Sequence, residues 1–245
     1  MSLREMWRRE IWQRIVPSRT IPHTRWRSEG SRWRTRPSTF VILVLGLWLF
    51  GTGEALLVDA GLGNAPWTVL AQGISLRSGM PIGVTTFLIS VIVLLLWIPL
   101  RERLGLGTVA NAIVIAVALQ VMITVLPTPT GLGGRLVQLA VGIACVGAGS
   151  GLYLTTNLGP GARDGLMTGI HERTGIAVTP VRLSIEVVVL AIGWALGGTV
   201  GIGTLAFAVL IGPSVGYALR LVGWLAGADG AVLADDDGPH PELEA

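Results

Sequence analysis

The sequence contains no lysine, a single cysteine and few charged residues of any kind. Of its 245 residues 13% are charged, and all 18 Lys+Arg are arginine, whereas soluble proteins are about 25% charged. The single thiol, Cys145, excludes a disulfide framework and a cysteine-ligated metal site. With 51% hydrophobic residues, too few polar residues remain to cover the surface of a water-soluble globule. The composition therefore predicts an integral membrane protein.

The charges that are present lie mostly at the two ends of the chain. Ten of the 18 arginines precede Phe40, and six of the 15 acidic residues follow Ala226. A pI near 10.0 would suit a nucleic-acid-binding protein, but the basic excess is confined to one arm beside the first apolar run. Juxtamembrane arginine favours cytoplasmic retention and contact with anionic lipid, so we expect no nucleic acid as a partner.

Four segments follow from this pattern. We expect a basic cytoplasmic arm at 1–39, membrane repeats at 40–126 and 127–225, and an acidic disordered tail at 226–245. Within the arm, residues 1–16 fit either an amphipathic helix on the membrane surface or a disordered segment. The remainder of the arm has the proline and arginine content of a linker.

Six apolar runs are each long enough to cross about 30 Å of hydrocarbon, which takes roughly 20 residues. They cover about 40–58, 82–100, 104–126, 136–156, 179–197 and 203–225. Segments 59–79 and 157–175 are too polar to span, and we expect a short helix in each. The predicted fold is an all-α polytopic membrane bundle of about six transmembrane helices, in two inverted three-helix repeats with short non-spanning helices. We expect it in a bacterial inner membrane.

The repeat is indicated by glycines that recur at a nearly constant spacing. At an offset of 98, Gly51-Thr52-Gly53 aligns with Gly149-Ser150-Gly151, and Asp59 aligns with Asn157. At an offset of 96, Gly105-Leu106-Gly107-Thr108 aligns with Gly201-Ile202-Gly203-Thr204. Glycines in loops do not align at one sustained offset by chance, so the pattern predicts a duplication.

The number of spans in each repeat predicts its orientation. Three spans are an odd number, so the second repeat must enter the membrane from the opposite side. Residues 101–103 hold two arginines, and 157–175 hold two arginines and a histidine, whereas 197–199 hold none. Positive residues favour the cytoplasm. The charges therefore place 101–103, 157–178 and both termini in the cytoplasm, and 59–81 and 127–135 outside.

Three loop motifs carry a resemblance to a known family. The stretches GLGNAPWTVLAQGISLRSG, RERLGLGTVAN and LGPGARDGLMTGIHERTG resemble the YczE-like membrane proteins, a bacterial group that includes YyaS and YitT. The resemblance covers about 40–225. It implies a polytopic membrane protein and carries no biochemical activity with it.

Charged residues inside the predicted spans are candidates for function, because a charge at the centre of a span costs about 2.5–3.5 kcal/mol. Glu54 lies near the end of the first span, where it either binds a proton, a cation or an arginine, or extends its carboxylate to the nearby interface. Arg182 and Glu186 are four residues apart on one helix face and can pair. They fit either a ligand site or an ion pair that only neutralises itself.

The two polar segments each open a short helix. Asn64 suits a cap and Pro66 suits the first turn of one helix, while Arg163 and Asp164 begin the other. Free N–H groups at helix starts attract anions. Either both helices tilt into one shared polar cavity, or they lie flat on opposite membrane faces. The candidate substrate-path residues are Glu54, Asp59, Asn64, Trp67, Asn157, Arg163, Asp164, Arg182 and Glu186.

The sequence contains no nucleophile–base set, no metal-ligand spacing and no phosphate loop. We therefore expect no enzyme, no cofactor and no metal site. Inverted repeats with interrupted segments are typical of secondary transporters, which predicts a small transporter or permease for an anionic or zwitterionic solute. The alternatives are a non-transporting accessory or assembly protein, and a substrate-binding subunit of a larger transport complex. The pattern is compatible with a homo-oligomer. Deleting 1–38 and 226–245 would separate a transporter, which needs neither, from an accessory protein.

Overall fold

A computed structural model describes residues 21–227 and contains eight α-helices within that range. They are α1 Pro37–Ala60, α2 Pro66–Ser78, α3 Ile82–Leu100, α4 Leu106–Val125, α5 Leu132–Leu154, α6 Ala162–Thr174, α7 Val178–Ala195 and α8 Ile202–Leu225. All except α2 and α6 are long and apolar enough to cross a membrane. The all-α class and the six spans are confirmed, whereas residues 1–16 and most of the acidic tail lie outside the described residues.

Proline and glycine set several helix boundaries. Pro37 and Pro66 occupy the first turns of α1 and α2, where a missing N–H leaves no hydrogen bond unmade. The first span consequently begins three residues earlier than expected. Gly79 and Gly175 end α2 and α6 with φ of 74° and 71°, a left-handed conformation that disfavours a Cβ atom.

The centre of the bundle is a row of four spans. α1 packs against α5, α4 flanks α1, and α8 flanks α5. A Cβ atom on Gly53 would meet Gly142 and Val146 of α5. In the same way, a Cβ atom on Gly149 would meet Gly46 and Phe50 of α1. Small residues let membrane helices approach closely and gain van der Waals contact.

The two short helices cross from one half of the chain to the other. Helix α2 packs on α7, and α6 packs on α3. Gly193 of α7 lies against the backbone of Leu70, and Gly165 of α6 lies against the Trp97 ring. The Trp97 indole Nε1 donates to the carbonyl oxygen of Ala162 at 3.0 Å. Each half is therefore completed by a short helix from the other.

Corresponding elements of the two halves lie 96 residues apart. Helices α2 and α6 both have 13 residues, and their bounds differ by that offset. Positive φ angles recur in the same way: 63° at Gly61 and 56° at Asn157, then 112° at Gly63 and 120° at Gly159. The offset of 98 assigned from sequence to this stretch is two residues too long, so Asp59 does not correspond to Asn157.

The halves differ most in the packing of their last two spans. Helix α3 packs against α4, whereas α7 and α8 do not pack along each other in the part of the chain that the structure describes. A Cβ atom on Gly83 of α3 would meet Ala116 and Gln120 of α4. Gly212 of α8, which corresponds to Ala116, has open space around it. About 17% of the α7 span is buried, against 39% of the α3 span.

Residues 21–36 run without a helix across one end of the bundle. The Trp26 indole donates to the Thr155 hydroxyl at 3.1 Å, and the Leu106 N–H donates to the carbonyl oxygen of Arg32 at 2.9 Å. The Thr39 hydroxyl donates to the carbonyl oxygen of Trp26 at 2.9 Å. This part of the predicted linker is therefore packed structure.

Candidate functional site

A cavity of about 210 Å³ lies between the two halves of the bundle. Its wall is formed by spans from both halves and by the first turns of α2 and α6. Six of the nine candidate residues line it: Glu54, Trp67, Arg163, Asp164, Arg182 and Glu186.

The starts of the two short helices meet at this cavity. The Arg163 guanidinium carbon lies 5.2 Å from the centre of the Trp67 ring. Flat helices on opposite faces would be separated by roughly the 30 Å hydrocarbon thickness, so that arrangement is excluded. Neither helix has a side-chain cap from the residue that precedes it, which is Ala65 for α2 and Gly161 for α6. The N–H groups of both first turns therefore lack side-chain acceptors beside the cavity.

Glu54 is buried in the centre of the protein. Its side chain is 2% exposed, and its Oε2 accepts a hydrogen bond from the Thr68 hydroxyl at the start of α2. Its Oε1 is buried and has no hydrogen-bond partner among residues 21–227. The carboxylate does not extend to the membrane interface, because α2 of the same half encloses it.

Asp164 lies opposite, beside a tyrosine of α5. The Tyr153 hydroxyl donates to Asp164 Oδ2 at 3.2 Å. A Cβ atom on Gly161 would lie 3.0 Å from that oxygen and 3.4 Å from the Asn111 amide nitrogen. The glycine therefore leaves room for three polar side chains to converge at the start of α6.

The predicted pairing of Arg182 with Glu186 is confirmed. Arg182 Nε lies 2.9 Å from Glu186 Oε1, with about half of the arginine side chain exposed. Both line the cavity from α7. The ion pair therefore forms part of the cavity wall.

Three candidates do not reach the cavity. Asn64 was expected to cap α2, but the helix is preceded by Ala65, and the Asn64 amide donates to Gln72 Oε1 at 2.9 Å. Asn157 is exposed and donates to the carbonyl oxygen of Ser28 at 3.0 Å. Asp59 lies in the last turn of α1, beyond Glu54 and outside the cavity lining.

Comparisons with known proteins decide the family. One family model spans residues 37–220, that of a family of unknown function, DUF6198. The chain belongs to this family. An uncharacterized protein of Haemophilus influenzae is 45% identical over 204 residues, which are 83% of this chain and 93% of that protein. No solved structure matches the chain.

Two further relatives come from Bacillus subtilis. The uncharacterized membrane protein YczE is 29% identical over 189 residues, 77% of this chain and 85% of its own length. The uncharacterized protein YyaS is 26% identical over 165 residues, 66% and 82% of the two chains. The resemblance to YczE-like proteins is therefore confirmed, and this DUF6198 member is a multi-pass membrane protein.

Sequence reasoning missed part of the cavity wall in this DUF6198 protein. The uncharged polar residues that line it are Thr86, Ser90, Asn111, Ser150 and Tyr153. An uncharged hydroxyl in an apolar span carries no signal of its own. The offset of 96 does find three of them, because Thr86 corresponds to Arg182, Ser90 to Glu186 and Ser150 to Glu54.

The site brings together charged, polar and apolar groups. Within residues 21–227 no group of three or more His, Cys, Asp or Glu side chains could hold a metal ion. The cavity combines carboxylates, guanidinium groups, hydroxyls and two helix starts with apolar walls. Concave sites that combine apolar walls with a few polar groups are the usual form of small-molecule sites in proteins.

Proposed function

We propose that this DUF6198 protein is a small secondary transporter or permease, whose solute passes through the cavity between two inverted halves. The observation that supports this most is that corresponding positions of both halves line one cavity. These are the pairs Glu54 and Ser150, Trp67 and Arg163, Thr86 and Arg182, and Ser90 and Glu186. Substrate sites of inverted-repeat transporters lie at such an interface, beside interrupted helices.

The inversion itself is part of this proposal. Each half has the order span, short helix, span, span, so an odd number of spans separates corresponding elements. The arginines of 101–103 and 157–175 favour the same side of the membrane, although these segments occupy different places in the two halves. Both termini are then cytoplasmic, and the basic arm contacts anionic lipid on that side. The solute crosses chemically unchanged, so the protein is not an enzyme.

The packing difference between the halves corresponds to two states of a transport cycle, in which one half is closed and the other is open. α3 closes on α4 at Gly83 and Gln120, at the end of the bundle assigned to the outside. α7, which begins at the end assigned to the cytoplasm, does not pack along α8, and Gly212 in the middle of α8 has open space around it. This arrangement faces inward. In the outward-facing state the two halves exchange arrangements, so that α7 packs on Gly212 while α3 leaves α4.

Side-specific labelling tests this cycle without a known substrate. Ser90→Cys places a thiol on the cavity wall, in a Cys145→Ala background. A membrane-impermeant maleimide should label it mainly from the cytoplasmic side, and more slowly from the outside in right-side-out vesicles. Labelling from one side only, at any reagent concentration, would reject alternating access.

A cross-link supplies the matched control. Oxidation of Thr179→Cys together with Gly212→Cys should form a disulfide, because exchange brings α7 onto α8 to within the roughly 7 Å between Cα atoms that a disulfide tolerates. Once formed, it should abolish cytoplasmic labelling of Ser90→Cys and increase external labelling. The single variant Thr179→Cys, treated with the same oxidant, should change neither. If the two introduced cysteines never form a disulfide, the proposed outward-facing state is refuted.

A further inference from the structure

The cavity has an incomplete set of hydrogen bonds. Three of its buried polar atoms have no partner among the described residues: Glu54 Oε1, Trp67 Nε1 and Thr86 Oγ1. Their side chains are 2%, 6% and 5% exposed, and all three residues line the cavity. A buried polar group without a partner costs about 1–3 kcal/mol. One carboxylate oxygen that can only accept and one indole N–H that can only donate therefore lie without partners in the wall of the same cavity.

The charges of the cavity point the same way. Arg163 stacks on Trp67 and forms no ion pair within 4.0 Å inside residues 21–227, in contrast to Arg182, which pairs with Glu186. Asp164 accepts a bond from a neutral tyrosine. Two carboxylates and one guanidinium group thus face the cavity with no ionic partner closer than that limit.

The side-chain charges that line the cavity and the partial charges of the two helix starts sum to about zero. Three carboxylates and two guanidinium groups line the cavity, which gives a net side-chain charge of −1. The uncapped starts of α2 and α6 each contribute about +0.5 elementary charge. A net anion or a net cation would upset this balance, whereas a ligand with separate positive and negative groups would keep it.

We infer that the cavity binds a small zwitterion of the α-amino acid class, with its ammonium group at Glu54 and Asp164 and its carboxylate at Arg163 and the helix starts. This rests on the proposed function, since it takes the cavity as the solute site. An ammonium group supplies the N–H donor that Glu54 Oε1 lacks. A carboxylate supplies the acceptors that a guanidinium fork, an indole N–H and free backbone N–H groups require.

Size and wall chemistry narrow the ligand further. A volume of about 210 Å³ is below the roughly 300–1,000 Å³ of sites for drug-sized ligands. The rest of the wall includes Phe50, Ile115, Val146 and Phe207. An aliphatic amino acid such as leucine or valine is smaller than a drug-sized ligand and has a side chain that suits the apolar remainder of the wall.

Binding to the purified full-length protein in detergent tests the ligand class independently of transport. The probes are L-leucine, its methyl ester, which keeps only the positive charge, and N-acetyl-L-leucine, which keeps only the negative charge. L-Leucine should raise the thermal midpoint in a saturable way. Each blocked form should bind at least about tenfold more weakly, because it loses one charged hydrogen-bonding group.

Two variants separate recognition from a structural effect. Glu54→Gln should weaken binding of L-leucine about tenfold or more and leave the weak binding of N-acetyl-L-leucine unchanged. Arg163→Gln should weaken L-leucine similarly and leave the methyl ester unchanged. A variant whose site is merely unfolded would bind neither probe, and its thermal midpoint without ligand would fall. This result for both Glu54→Gln and Arg163→Gln would overturn the assignment.

The remaining outcomes are also decisive. Equal or tighter binding of either blocked form identifies a cation or an anion site and overturns the zwitterion. No saturable shift with L-leucine, L-valine or L-alanine overturns the amino acid class, even if Ser90→Cys is labelled from both sides. Saturable leucine binding with labelling from one side only would retain the ligand site and refute transport.

Discussion

At the scale of single residues, glycine positions decide which side chains can meet. Gly165 lies against the Trp97 ring, and the indole N–H of that ring donates a hydrogen bond to the carbonyl oxygen of Ala162, the first residue of α6. A methyl group at position 165 would push the indole away from α6. Because the cavity wall includes the first turn of this helix, packing at one glycine is coupled to the geometry of Arg163 and Asp164.

We predict that Gly165→Ala lowers the free energy of unfolding by about 1–3 kcal/mol, the usual cost of overpacking. Gly133→Ala is the matched control, since it has open space around it in the first turn of a helix and should be neutral or stabilise by up to about 1 kcal/mol. Denaturant titration of both variants in the same detergent measures the difference. Equal stability of the two would show that Trp97 is not tightly packed against α6.

Sequence patterns predicted the charged candidates better than their partners. Glu54 and the pair of Arg182 with Glu186 stand out because charge is rare in apolar spans, and Arg163 stands out at the start of a predicted short helix. The structure brings all four to one cavity. The role of Asn64 was misjudged, because a potential cap residue two positions before a proline can instead hydrogen-bond a side chain about two turns further on, here Gln72. Hydrogen-bond partners of that kind cannot be predicted from the periodic pattern of apolar residues.

At the scale of helices, existence and type were predicted for all eight, since length and apolar character alone define a span. Two features were not predictable. The separation of α7 from α8 depends on packing between segments of similar composition, and the path of residues 21–36 depends on hydrogen bonds to Thr155 and Leu106. Neither kind of contact has a local sequence signal.

The packed arm changes the deletion that separates a transporter from an accessory protein. Removing 1–38, as the sequence suggests, would also remove the Trp26 and Arg32 contacts. We predict that deletion of 1–36 lowers the free energy of unfolding by about 2–4 kcal/mol, from the loss of a few hydrogen bonds at about 1 kcal/mol each. Deletion of 1–20 together with 228–245 spares these contacts.

The shorter deletion should therefore keep the thermal midpoint of the full chain and keep two-sided labelling of Ser90→Cys. Thermal unfolding and vesicle labelling of both deletions give the comparison. Loss of labelling from one side in the shorter deletion, with the midpoint unchanged, would favour an accessory role for the terminal segments.

At the scale of the whole molecule, orientation in the membrane is the property on which the inverted repeat depends. We predict that Arg103→Cys is labelled only from the cytoplasm and Thr130→Cys only from outside, both in a Cys145→Ala background. Both positions are exposed in the structure, so lack of reaction cannot come from burial. An impermeant maleimide applied to intact cells and then to permeabilised cells measures the two sides. External labelling of Arg103→Cys would refute the inverted topology.

The crossing of α2 and α6 between halves has a consequence for how the protein is made. Helix α2 ends at Ser78, but its partner surface on α7 extends to Gly193. At about 5–20 residues per second, the ribosome needs roughly 6–23 s to synthesise the residues between them. During that interval α2 lacks its partner α7 and contacts only helices of its own half, through residues such as Glu54 of α1 and Thr85 of α3. The packing of the first half is therefore completed only after α7 has been synthesised and inserted.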